Sequence, residues 1–71
     1  MNFTLSPRAA LAWHGMKRRA MRELKAMGAI VTSETGEETA SVQPDGTLLL
    51  SARMAGNEIS LVIPAGDWEE T

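Results

Sequence analysis

Two pairs of adjacent carboxylates, one histidine and one run of cations are the groups in this 71-residue chain whose types and spacing could do chemistry. Paired carboxylates carry out acid–base work when their surroundings split their pKa values. Glu37-Glu38 falls at a turn and Glu69-Glu70 in a terminal segment, where water keeps both members of each pair ionised. Nucleophilic catalysis needs a base that is itself oriented by a third group. His14 is the one histidine, and it falls on the charged side of a helix, the usual place for a solvated imidazole. Cysteine is absent, which removes disulfides and makes a thiolate zinc site impossible. The six glycines are scattered through turns and follow neither a G-x-G-x-x-G nor a Walker spacing. Glu34 to Glu38 is too short and too sparse for a calcium loop. The expectation is a non-enzymatic protein with no cofactor and no metal.

The cations are more informative. Up to Gly28 the chain carries Arg8, Lys17, Arg18, Arg19, Arg22 and Lys25 against Glu23 alone, a net of +5. From Ala29 onward Arg53 stands alone against Glu34, Glu37, Glu38, Asp45, Glu58, Asp67, Glu69 and Glu70, a net of −7. The overall charge of −2 hides this division. Lys17, Arg18, Arg22 and Lys25 lie along two to three helical turns, enough to engage a phosphate backbone or an acidic protein surface. Scarce aromatic residues and the negative net charge weigh against nucleic acid. The acidic half serves solubility, or imitates a phosphate backbone toward a basic groove.

The elements that position these groups follow from local signals. Ser6-Pro7 opens a helix: serine can accept a bond from an early helical N–H, and proline suits the first turn. Gly28 closes it by taking a left-handed conformation. Between them, at about 100° per residue, Ala9, Ala12, Trp13, Met16, Ala20, Leu24 and Met27 share one side. Arg18, Arg22, Lys25 and His14 lie opposite, with Leu11 among them. Gly15 costs about 1 kcal/mol in a helix interior and suggests a kink or break near His14. Beyond Gly28 come short β-type runs, at about 29–33, 38–43, 47–54 and 58–63. Pro44-Asp45-Gly46 and Ala55-Gly56-Asn57 supply the turns.

The fold class expected is α+β, one amphipathic helix of about residues 7–27 on a three- to four-stranded antiparallel meander. The expected core is Trp13, Met16, Ala20, Leu24, Met27, Ile30, Val42, Leu48, Leu50, Ile59, Leu61 and Ile63. Leu49 and Val62 fall on the sheet's other face, and the tail from Asp67 to Thr71 is expected to be mobile. A chain of this size buries only about 60% of its unfolded surface, so its stability is marginal. Free strand edges and exposed apolar side chains then favour a homodimer.

No apolar run nears the roughly 18 residues of a membrane span, and no secretory signal is present at the start. Membrane binding is not expected, and cytoplasmic residence is the default. The proportions (one small cysteine-free domain with divided charge) resemble those of small accessory proteins of bacteria and their phages. The leading expectation is a protein-binding module, an inhibitor or regulator that occupies a partner's surface. Lys17, Arg18, Arg22, Lys25, Leu11, Leu49, Val62 and Trp68 are its candidate contacts. A nucleic-acid-binding regulator using the helix is the alternative, and a structural assembly subunit is the third.

Overall fold

A computed structural model describes residues 2–29 and 37–71. A short strand β1 (Phe3–Leu5) leads into the helix α1 (Pro7–Ala26). Then come β2 (Glu37–Val42), β3 (Leu48–Met54) and β4 (Asn57–Ile63). A single 3-10 turn, Ala65–Asp67, precedes β5 (Trp68–Glu70). Strands β2, β3 and β4 form an antiparallel meander in that order, and β1 pairs with β5 in a separate two-stranded ribbon. The arrangement is α+β, one N-terminal helix with a three-stranded antiparallel sheet and a further strand pair.

The helix ends follow the capping chemistry. Ser6 Oγ accepts from the Ala9 N–H at 3.2 Å, and Pro7 occupies the first turn. At the other end Gly28 has φ +89°. Its N–H donates to Lys25 O at 3.0 Å, and the Ala29 N–H reaches back to Leu24 O at 2.9 Å. That pair of bonds is the Schellman closure, which satisfies carbonyls the helix leaves open. Gly15 produces no break: α1 runs unbroken for 20 residues.

The meander alternates as a half-covered sheet must. Leu48, Leu50, Ala52 and Met54 point inward from β3 and are all buried. Opposite them in β4 stand Ile63, Leu61, Ile59 and Asn57. The β3–β4 turn leaves two residues between Met54 and Asn57, and both have positive φ, Ala55 at 49° and Gly56 at 80°. Left-handed backbone at both positions is the type I′ geometry that matches strand twist. The β2–β3 turn is held by Asp45, whose Oδ1 accepts from the Thr47 N–H at 3.0 Å and hydroxyl at 2.7 Å.

Ala9, Trp13, Leu48, Leu50, Ala52 and Ile63 form the core, with Phe3, Leu5, Met16, Ala40, Ile59, Leu61 and Trp68 packed around them. Leu24 and Met54 are buried near the helix C-terminus. Three expected core residues are outside it, Ala20 being only half-buried and not part of the cluster. Met27 follows the last helical residue as the cap and is 75% exposed. Val42 pairs with Leu48 but ends an outer strand, and it is 46% exposed. Ile30 and the strand expected at 29–33 lie, apart from Ala29, outside the described residues, and Ala29 is not in a strand.

The tail expected to be mobile is an element of the fold. Leu5 pairs with Trp68 and Phe3 with Glu70, while the Thr71 N–H donates to Asn2 O at 3.1 Å. This ribbon joins the two ends of the sequence and places Phe3, Leu5 and Trp68 against the core.

Candidate functional site

Helical periodicity sets Pro7, Leu11, His14, Arg18, Arg22 and Lys25 on one stripe, opposite buried Trp13 and Leu24. All six are exposed, and Leu11 is 69% open to solvent. Pro7, Leu11, His14 and Arg18 line one shallow recess. From Leu11 to Lys25 the stripe covers about 21 Å at 1.5 Å per residue. Among the described residues, Arg18, Arg19, Arg22 and Lys25 make no ion pair; the three present are Arg8–Asp67, Lys17–Glu38 and Arg53–Glu58. Four expected contacts, Leu11, Arg18, Arg22 and Lys25, are therefore brought onto one face.

Lys17 does not belong to that face. It is 6% exposed, and its ammonium donates to Glu38 Oε1 at 3.2 Å. The same oxygen accepts from Trp13 Nε1 at 3.2 Å, and the ammonium lies 5.4 Å from the Trp13 ring centre. Two signals account for this placement. Lys17 follows Trp13 by four residues, so its aliphatic stem runs along the indole. Glu38 pairs with Ala52 in β3, which turns its carboxylate toward the helix. Reading Lys17 by charge alone puts it on the wrong side.

Trp68 also has a different place from the exposed anchor expected. It is half-buried, and its Nε1 donates to Gly46 O at 3.0 Å, which fastens the terminal ribbon to the β2–β3 turn. Beside it Asp67 is buried, although its partner Arg8 remains open to solvent. Arg8 Nε and one terminal nitrogen donate to the two Asp67 carboxylate oxygens at 2.9 and 3.0 Å. The Ser6 hydroxyl adds a bond at 3.0 Å. The Arg8 hydrogen bonds are the largest influence on Asp67, and together with the Ser6 bond they hold its carboxyl below its ordinary pKa despite burial. Thr47 does the same for Asp45. The recess at this corner is lined by residues that already satisfy one another, Ser6 and Asp67 among them.

Leu49 and Val62 are direct neighbours on the sheet face away from the helix. Val62 is 55% exposed and Leu49 half-buried, with Ser41 beside Leu49 and Ser51 and Ser60 next along the strands. Two apolar residues among serines make a small patch. No group of three or more metal-ligating side chains occurs among the described residues. Among them, too, no helix is long and apolar enough to cross a membrane. No protein-family model, curated protein or solved structure matches the chain.

Proposed function

We propose that this protein is a non-enzymatic protein-binding module, an inhibitor or regulator that works by occupying a partner's surface. The observation that carries this reading is the outer stripe of α1, where exposed Leu11 is followed by Arg18, Arg22 and Lys25, none with an ion-pair partner among the described residues. An apolar anchor beside cations suits a partner surface with an apolar recess rimmed by carboxylates. Arginine is enriched in such interfaces, and charge complementarity speeds the encounter.

Nucleic-acid binding is the second reading, favoured by the four exposed cations Arg18, Arg19, Arg22 and Lys25 on one helix. The withdrawal of Lys17 to Glu38 removes one of its expected phosphate contacts. The experiment compares capture from a bacterial lysate by the parent and by Leu11→Asp/Arg18→Glu/Arg22→Glu, with and without nuclease. All three positions are exposed, and circular dichroism verifies that the variant keeps the parent's fold. Nuclease-resistant capture of a discrete protein, lost in the variant, is the expected result. Capture that disappears with nuclease, or that the variant leaves unchanged, overturns the protein-binding reading.

A further inference from the structure

Gly15 works against the element that holds it. After proline, glycine is the least favourable residue in a helix interior, and a domain this small is only marginally stable. A helix keeps a glycine for left-handed backbone, for a kink or for a close approach. The first two do not apply: Gly15 is not among the residues of positive φ, and α1 runs unbroken from Pro7 to Ala26. Close approach within the chain does not apply either. Among the described residues, a Cβ at position 15 meets nothing within 4 Å. What glycine supplies here is a notch in the helix surface.

The notch lies on the outer stripe. At about 100° per residue, Gly15 falls within about 60° of Leu11, Arg18 and Arg22 and nearly opposite buried Trp13 and Leu24. Leu11, Gly15, Arg18, Arg22 and Lys25 succeed one another by four, three, four and three residues. That is the spacing along which a second helix packs.

Building on the protein-binding reading, we infer that the partner presents an acidic amphipathic helix that crosses α1 at Gly15, where the missing side chain lets the two backbones come close. Charge selects this occupant first. Arg18, Arg22 and Lys25 have no ion-pair partner among the described residues, so the complementary face carries carboxylates. Exposed Leu11, one turn before the notch, meets an apolar side chain of the same helix. The distance between packed helices is set by the side chains at their contact, so a Cβ at position 15 holds the partner off both Leu11 and the cations.

Fluorescence anisotropy with a labelled synthetic helix tests this. The probe is a peptide of about 20 residues, long enough to hold a helix alone, with leucine, alanine and glutamate on one face at the four-three spacing and glutamine elsewhere. A scrambled peptide of equal composition is the control. The parent should bind the patterned peptide at least about tenfold more tightly than the scrambled one. Gly15→Ala should raise the melting temperature by about 4–8 °C, yet weaken peptide binding by about tenfold. Opposite signs for stability and binding separate an interface role from a structural one. Equal binding of the two peptides, binding of neither, or binding that Gly15→Ala leaves unchanged overturns the inference. So does a DNA duplex that binds the parent more tightly than the patterned peptide. If the peptide fails while a discrete, Leu11-dependent protein is still captured from lysate, the helical partner falls and the protein-binding reading stands. Absence of that capture removes the reading itself.

Discussion

Removing the Glu38 carboxylate should cost far more than removing the lysine it holds. Glu38→Ala takes away the acceptor of two hydrogen bonds and strands Trp13 Nε1 and the Lys17 ammonium beneath β2. Breaking a fully buried ion pair costs about 3–5 kcal/mol, because the remaining charge has no partner. Here the glutamate side chain is 34% exposed against 8% for the lysine, so water reaches part of the site. The penalty falls accordingly to about 1–3 kcal/mol. At about 4–8 °C per kcal/mol for a domain of this size, the melting temperature drops by about 5–20 °C. Lys17→Met keeps an unbranched chain against the indole and leaves Glu38 bonded to Trp13. It forfeits the ammonium–indole contact, worth about 0.5–1 kcal/mol, and ends the cost of burying an ammonium. The single variant therefore stays within about 1 kcal/mol of the parent. Combined with Glu38→Ala, it should restore about 1 kcal/mol, since no stranded cation remains. Thermal and urea unfolding followed by circular dichroism gives all four values. A Glu38→Ala protein that melts with the parent would refute the reasoning, as would a double variant whose loss is the sum of the two singles.

Leu50→Ala, at a position 3% exposed in the middle strand, should lose about 2–5 kcal/mol, measured by urea unfolding. Gly15→Ala should gain about 1 kcal/mol in the same assay, because a Cβ there meets nothing within 4 Å and the helix is continuous. Asp67 titrates below its ordinary value in the fold, so the stability it contributes is complete above about pH 5. That contribution fades as the pH falls through the ordinary carboxylate value of about 3.9 and then through the lower folded value. Melting temperatures taken across this range should therefore show Asp67→Asn below the parent at neutral pH and converging with it in acid.

The parts of the fold legible in the sequence are those fixed by short-range chemistry. Ser6-Pro7 and Gly28 bracket the helix within one residue of its observed end, because caps and left-handed closures involve only near neighbours. The alternation from Leu48 to Met54 and from Ile59 to Ile63 gives the inner face directly. Long-range pairing is where local reading stops. Trp68-Glu69-Glu70 looks like a solvated tail by composition, and only its meeting with Phe3–Leu5 makes it a strand. Arg8 and Asp67 form their paired bonds across nearly the whole chain, with no motif to announce them. Lys17 was legible in part. Its four-residue spacing from Trp13 places it at the edge of the apolar stripe, but its inward turn depends on Glu38, which arrives from another strand. Leu11 needed only the helical period, and its exposure among cations matches that period.

The central claim, that the outer stripe of α1 docks on a partner protein, is tested most directly by a photo-activated crosslinking residue placed at Leu11. A second probe at Val62 serves as the comparison, since both positions are well exposed, at 69% and 55%. In nuclease-treated bacterial lysate the account predicts one discrete protein adduct from position 11, absent from position 62 and abolished by Arg18→Glu/Arg22→Glu. No discrete adduct from position 11, or the same adducts from both positions, would contradict it.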